Sequence, residues 1–399
     1  MSEPGLAIFD THPVQYRVPV YAALERDFGV PVTQYYASDF SIAGYFDREF
    51  QTSFAWPSNV LEGAARAVYF SRSRDGGARS FEEVTPRGVA EAVRRLAGRP
   101  VLVTGYAPSF YRHVLFYALR YRCPILFRAE TIDLPMSRGW LKEAARDAWL
   151  RFVYGRCDRL LPIGIQSTRH YRRLGCPPEK LVDAPYCVNS SLFECDENAR
   201  TRLRNITRDR LGLPPDALAI LMSGKVYARK NPLLLVQAVR LLPEHLRHRV
   251  ALIFLGDGEQ RKAVEALAAE SPAIRVHITG FCNQNELSPY FHAADLLAMP
   301  SQWETWGLSV NDSLHHGLPC VVSETVGCHP DLIEPGVTGE VTEANSAGAL
   351  AAGLQRLITW MPPGENGAAL RERCRAKVAG YSTAKAAEGI VRAYRSLIG

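Results

Sequence analysis

Short apolar runs alternate with amphipathic segments along most of this chain, and that rhythm restricts the fold more than any other feature. A brief β-branched or aliphatic run reads as a buried strand, and an apolar period near 3.6 reads as a helix lying over it. In the first half, residues 6–9, 30–36, 100–104, 124–127 and 159–162 read as strands. Residues 18–26, 89–96, 111–120, 140–154 and 167–174 read as the helices between them. The rhythm breaks over the polar stretch 186–214, which reads as a domain boundary. It then restarts, with strands at 219–222, 251–255, 274–279, 296–299 and 320–323. Helices are expected at 233–242, 260–269 and 310–316, and a last amphipathic helix at 384–398. Strands alternating with helices predict an α/β protein with parallel sheets covered on both faces. Residues 37–79 are irregular and aromatic, and too long for an ordinary connection. They read either as a substrate-facing excursion or as an elaborated surface.

A chain of 399 residues has room for two domains or one large one, and needs no disulfide or metal to fold. The formal net charge of +6 is a mild bias that suits an anionic ligand or membrane surface. No basic run or recognition module suggests nucleic acid. The nine cysteines, Cys123 to Cys374, include no C-x-x-C pair and no zinc-type spacing. They read as small buried hydrophobes in a reducing compartment. The start, MSEPGLAIFD, lacks the features of a signal peptide. No apolar stretch approaches the roughly 18 residues of a membrane span. A cytoplasmic location is expected, with peripheral membrane contact left open.

The chemistry concentrates in AADLLAMPSQWETWGLSVNDSLHHGLPCVVSETVGCHPDLIEPGVTGEV. A buried strand ends at Pro300, a short loop holds Glu304, and a helix starts near Gly307. Ligands of open α/β sheets sit at the carboxyl ends of strands. A helix start offers backbone N–H groups and a positive dipole end to a diphosphate, and Gly307 lets that group approach closely. Glu304 precedes the helix and Asp312 lies within it, with seven residues between. Two carboxylates so placed can flank one ligand and accept hydrogen bonds from vicinal hydroxyls. Upstream, SGKVYARKNPLLLVQAV puts Gly224 and Lys225 just past a strand, with Lys230 five positions on. Two cations there can clamp a diphosphate and stabilise it as a leaving group, or can form a plain solvated turn.

PSQWETWGL resembles the retaining glycosyltransferases of the GT-B fold, in the large family 4 type that includes sucrose synthase and lipoglycan mannosyltransferases. Pro300, Ser301, Glu304, Trp306, Gly307 and Leu308 match the P-S-x-x-E-x-[FW]-G-L pattern. The resemblance implies two doubly wound, Rossmann-like domains facing a central cleft. Residues 1–195 would bind the acceptor, residues 205–380 the nucleotide sugar, and 381–399 would be a helix packing back on the first domain. Glu304 would bind donor-sugar hydroxyls, and Asp312 would take the ribose-binding place of the family's second Glu, one methylene shorter. Lys225 and Lys230 would hold the diphosphate with Gly224, Trp306, Gly307 and Leu308. Phe281 would lie near the base through its main chain.

The family's Gly-Gly turn facing the donor sugar reads Gly327-Cys328 here, followed by His329, Pro330 and Asp331. The family's Gly pair after the first strand is replaced by DTHPVQYRVP, where His12 is the candidate. After the strand at 124–127 stands FRAET, so Glu130 either handles an acceptor hydroxyl or pairs with a neighbour such as Arg128. Tyr45, Phe46, Tyr106 and Tyr111 either stack on acceptor sugars or belong to the core.

The implied reaction moves a sugar from a nucleotide donor, most commonly a UDP-sugar in this family, to an acceptor hydroxyl with retention. The acceptor would be a carbohydrate, a natural product or a lipid-linked molecule. No cofactor or metal is expected, since no D-x-D pair occurs. The alternatives are a pseudo-glycosyltransferase coupling an activated cyclitol, and a nucleotide-sugar-binding subunit without turnover.

Overall fold

The fold is described from a computed structural model, over residues 5–47, 52–54, 66–75, 77–81, 83–133, 139–271, 273–361 and 367–399. The backbone divides into two compact units. One comprises Met1–Phe46, Ser53–Asn189 and Tyr381–Gly399; the other comprises Asp47–Thr52 and Ser190–Gly380.

The first unit contains β1 (Leu6–Asp10) and β2 (Val32–Tyr36). A separate two-stranded pair follows in sequence, β3 (Tyr45–Asp47) with β4 (Thr52–Phe54), of which Asp47 and Thr52 are assigned to the second unit. Then come β5 (Ala67–Tyr69), β6 (Val101–Val103), β7 (Ile125–Phe127) and β8 (Arg159–Leu160). Six of these make one sheet in the order β5-β2-β1-β6-β7-β8, with every neighbouring pair parallel. The second unit repeats the plan with β9 (Leu218–Ser223), β10 (Val250–Leu255), β11 (Arg275–Ile278), β12 (Leu296–Met299), β13 (Cys320–Ser323) and β14 (Gly339–Thr342). Its order is β11-β10-β9-β12-β13-β14, again parallel throughout.

Within each sheet the first strand lies between the second and the fourth, which is the doubly wound order. The direction of winding reverses beside β1 in one unit and beside β9 in the other. A crevice opens there, outside the carboxyl ends of β1 and β6, and of β9 and β12. Every residue of β9 and β10 is buried, as expected for strands covered on both faces.

The last helix, Thr383–Ile398, belongs to the first unit although it ends the chain. Its Ala386, Ala387, Ile390 and Tyr394 share a core with Leu6, Ile8 and the helix Val18–Phe28. The Ser382 side chain caps its start.

The division between the units at Asn189 and Ser190 falls within the polar stretch 186–214, which also holds a helix, Glu197–Arg210, capped by the Asp196 side chain. That helix has little apolar face and is held instead by arginine. Arg204 and Arg208 donate to the carbonyl of Ala293, and Arg204 lies 2.6 Å from Asp295. The irregular stretch 37–79 contains β5, which pairs with β2 at the edge of the sheet. A three-residue edge strand carries too little pattern to be seen in sequence. The side chains of Tyr45 and Phe46 lie outside what the structure describes.

Candidate functional site

In the second unit, β9 delivers Gly224 and Lys225 to the edge of the crevice. A short turn, Ala228–Lys230, then leads into the helix Pro232–Arg240. This turn folds Lys230 back beneath Gly224, so that a methyl group on Gly224 would sit 3.7 Å from the Lys230 Nζ. Lys225 is half-buried at the same strand end.

β12 delivers the second half of the site. The loop after it is tied to the turn after β9, since Gln302 N donates to Arg229 O at 2.8 Å. Glu304 is buried here, with Oε1 3.0 Å from Lys230 Nζ and Oε2 3.7 Å from Arg229 Nη1. Arg229 also donates to the Tyr227 hydroxyl and lies 4.2 Å over the Trp303 ring. The expected pair of cations therefore has a third member that sequence reasoning missed. Its only signal was its place beside Lys230 in ARK.

Backbone contacts fix this loop. Glu304 N donates to Thr325 O, Gly327 N to Glu304 O, and Cys328 N to Trp306 O. Residues 304–306 thus lie alongside 325–328. The approach is so close that a Cβ on Gly327 would come within 2.2 Å of Thr305 O. The glycine at the departure from the family's Gly-Gly turn is needed for that contact. Cys328 is wholly buried, which drives its thiol well above its ordinary range.

The helix Leu308–His315 begins at Gly307, whose φ of +107° suits glycine alone. A side chain there would also strike Val326 and Met299. No side chain caps this helix start. Ser309 Oγ donates to Ser223 O at 3.1 Å and fixes the helix start against the end of β9. Trp306 is buried and donates its indole N–H to Asn311 Oδ1. Gly224, Lys230, Glu304 and the Gly307–Leu308 helix start therefore converge on the crevice between β9 and β12.

Asp312 is placed differently. It lies about a turn inside the helix, is 8% exposed, and its Oδ1 has no hydrogen-bond partner among the described residues. Burial pushes its carboxyl up to about 8. Burial raises the Cys195 thiol to about 11, against Arg375 and with Asp196 and then Asp312 adding to the effect. Phe281 is half-buried in the loop after β11, two strands from β9. Among the described residues no group of three or more His, Cys, Asp or Glu is placed to hold a metal ion.

The first unit gathers its own polar cluster past β1 and β7. Asp10 ends β1, is 1% exposed, and accepts from both Arg17 Nη1 and the Tyr111 hydroxyl. Arg17 Nη2 reaches Glu130 Oε1 at 2.8 Å. Burial works against the charge of Arg17, yet Asp10, Tyr186, Tyr16 and Glu130 hold it well above its ordinary value. Tyr186 donates a short hydrogen bond to Glu130, and burial, then that carboxylate, raise its hydroxyl.

Glu130 thus does pair, but with Arg17 and not Arg128. Arg128 donates to the carbonyls of Ala184 and Pro185. Tyr111 belongs to the core and to the Asp10 cluster, which removes it as a stacking surface. Tyr106 is half-buried against Phe127. His12 accepts or donates at Thr11 Oγ1 and packs on Phe40. Burial lowers its imidazole to about 4, against Asp10 and with Arg17 adding to the effect. The Asp10–Arg17 pair went unseen in sequence, where its only mark is a carboxylate and a guanidinium seven residues apart in DTHPVQYR.

Residues 204–376 match the family of glycosyl transferases group 1. The match covers less than half of the chain. It falls within the second unit and includes β9, β12 and the loop that holds Glu304. Over 282 residues the chain is 29% identical to a D-inositol 3-phosphate glycosyltransferase of Streptomyces bingchenggensis, covering 63% of this chain and 60% of that protein. It is 29% identical over 159 residues to the lipopolysaccharide glucosyltransferase WaaG of Escherichia coli, covering 40% and 42% of the two chains. The chain spans about 60% of the length of the first of these relatives.

Among solved structures, HepE of Anabaena in complex with UDP and glucose superposes with a TM-score of 0.71. The match covers 99% of this chain and 100% of that one at 15% identity. Sucrose-phosphate synthase of Thermosynechococcus elongatus gives 0.70 over 99% of both chains at 18% identity. The fold is GT-B, with two parallel six-stranded sheets.

Proposed function

We infer that this chain transfers a hexosyl group from a UDP-sugar to an acceptor hydroxyl, with retention of anomeric configuration. The observation that carries the reading is the convergence of Gly224, Lys230, Glu304 and an uncapped helix start on one crevice. The helix start and Lys230, with Lys225 beside it, suit a diphosphate. Glu304 suits donor-sugar hydroxyls. A neutral Asp312 carboxyl both donates and accepts, and so suits a ribose hydroxyl pair.

In the step, the bond between the anomeric carbon and the diphosphate oxygen breaks, and its electron pair leaves with the diphosphate. The acceptor oxygen bonds to the same face of that carbon, and its proton passes to the departing phosphate oxygen. Lys225, Lys230 and the helix start stabilise the charge that builds on the leaving group. None of these roles calls for a divalent metal, so EDTA should leave the rate unchanged. Glu130, with His12 nearby in sequence to its partner Arg17, is the acceptor-side candidate of the first unit.

No helix among the described residues is long and apolar enough to cross a membrane. The helix Trp140–Arg156 exposes Trp140, Leu141, Trp149 and Phe152 among arginines, which supports peripheral contact with an anionic bilayer and a lipid-linked acceptor.

A thermal-shift series with nucleotide sugars tests the donor, since a ligand that binds only the folded state raises the melting temperature. Release of UDP only when an acceptor is present supports transfer. Binding without turnover across acceptors would favour the silent-subunit reading.

A further inference from the structure

The second unit holds a cavity of about 240 Å³ at the opposite edge of the same sheet. Its walls come from residues at the starts of strands. Leu218 opens β9, Arg249 precedes β10, Asp295 precedes β12 and Pro319 precedes β13. Gly224 and Glu304 follow the other ends of β9 and β12. Strands of four to six residues, at ~3.3 Å per residue, set the two places roughly 15–20 Å apart. The cavity is therefore not part of the proposed donor site.

The lining combines an apolar wall, including Leu246, Phe291, Ile358 and Leu370, with four arginines. Three of the arginines have acidic partners. Arg204 lies 2.6 Å from Asp295, Arg371 grips Glu197 through two hydrogen bonds, and Arg249 lies 3.9 Å from Asp216. The fourth, Arg200, has no hydrogen-bond or ion-pair partner among the described residues. It is half-buried, and burial followed by the fields of Arg371 and Arg204 lowers it to about 10. The two histidines of the lining add no charge at neutral pH. Burial lowers His292, and it lowers His316 to about 3.

The cavity thus carries one cation with no contact partner, whose charge Glu197 and Asp295 favour only from a distance. A partly desolvated guanidinium held against two others is costly, and a bound oxyanion offsets that cost. The volume falls just below the ~300–1,000 Å³ range of drug-sized pockets, which limits the occupant to a few carbons.

We propose that this cavity binds a small organic anion, a phosphate monoester or carboxylate, with its oxyanion on Arg200 and its carbon skeleton against Phe291 and Leu370. Titration calorimetry on the full chain with glycerol 3-phosphate, butyrate and inorganic phosphate tests it. One of the two organic probes should bind with a Kd of about 1 mM or tighter. Whichever binds assigns the anion as phosphate monoester or carboxylate. Arg200→Gln should weaken that binding about tenfold or more, as loss of a charge-assisted hydrogen bond requires. The same change should leave the melting temperature of the free protein equal or higher, because it relieves repulsion from Arg204 and Arg371. Arg249 is 49% exposed, so Arg249→Glu will fold, and it should weaken binding severalfold by charge reversal. Failure of both organic probes to bind, or binding unchanged in both variants, overturns the site. Inorganic phosphate binding as tightly as the organic probes means an adventitious ion only, and overturns it as well.

Discussion

The Lys230 ammonium lies 3.0 Å from Glu304 Oε1, and so joins the turn after β9 to the loop after β12 across the point where the sheet reverses its winding. The contact has ion-pair distance without the alignment of a hydrogen bond, since Oε1 is otherwise unsatisfied among the described residues. Both groups are thus held together yet have capacity left for a ligand. A sugar hydroxyl can bond to Glu304 without breaking a hydrogen-bonded pair.

Glu304→Gln keeps the shape of the side chain and removes its charge. Lys230 and Arg229 then face each other without a counter-charge, and on the proposed reading a donor sugar would lose a carboxylate acceptor. Turnover should fall by about tenfold to a hundredfold, in the range set by loss of one charge-assisted contact in a preorganised site. Steady-state kinetics, with circular dichroism to confirm the fold, provide the check. Turnover within twofold of the parent would remove Glu304 from the machinery.

Asp312 should make stability depend on pH. Its carboxyl titrates near 3.8 when unfolded and near about 8 when folded, because burial disfavours the charge. The folded state therefore keeps a proton that the unfolded state releases. Its contribution is intact below about pH 4, declines as pH rises to about 8, and is then constant. Asp312→Asn stays neutral throughout. Its melting temperature should approach that of the parent near pH 4 and exceed it near pH 9. A difference between the two proteins that does not change with pH would show that Asp312 is charged in the fold.

Gly327→Ala probes the loop itself. The new methyl would come within 2.2 Å of Thr305 O, a backbone atom that cannot turn aside. The strand-like contact between 304–306 and 325–328 must open, which should cost about 1–3 kcal/mol and displace Glu304. Loss of activity together with a lower melting temperature is expected. Full activity would mean that the loop adapts without moving Glu304.

The architecture was legible because buried parallel strands leave continuous apolar runs, as in LAILMS of β9 and VALIFL of β10. The loop carrying Glu304 was legible because PSQWETWGL, which follows a buried strand, resembles a known family pattern; the spacing of its carboxylates alone is a weak signal. Arg229 was not, because a cation next to Lys230 gives no hint of stacking on Trp303. The helix Glu197–Arg210 was hidden for a related reason. Its anchors are arginines that reach carbonyls and Asp295, and no apolar stripe announces it. Long-range polar pairs leave no periodicity, and the Asp10–Arg17–Glu130 cluster is the clearest case, since two of its members are 113 residues apart.

That cluster yields the last prediction. Asp10 is almost wholly buried and takes both its oxygens to Arg17, whose other nitrogen serves Glu130. Removing the guanidinium in Arg17→Ala leaves a buried carboxylate without a cation. Breaking a buried pair from one side costs about 3–5 kcal/mol, and denaturant unfolding should show a loss of that size. Arg17→Lys should rescue little of it, because one ammonium cannot span Asp10 and Glu130 with the planar fork that joins them. Asp10→Asn combined with Arg17→Ala should be less harmful than Arg17→Ala alone, since no buried charge is then left unpaired. A double variant no more stable than the single one would mean that the cost arises from lost packing of the Arg17 stem and not from the unpaired buried charge of Asp10.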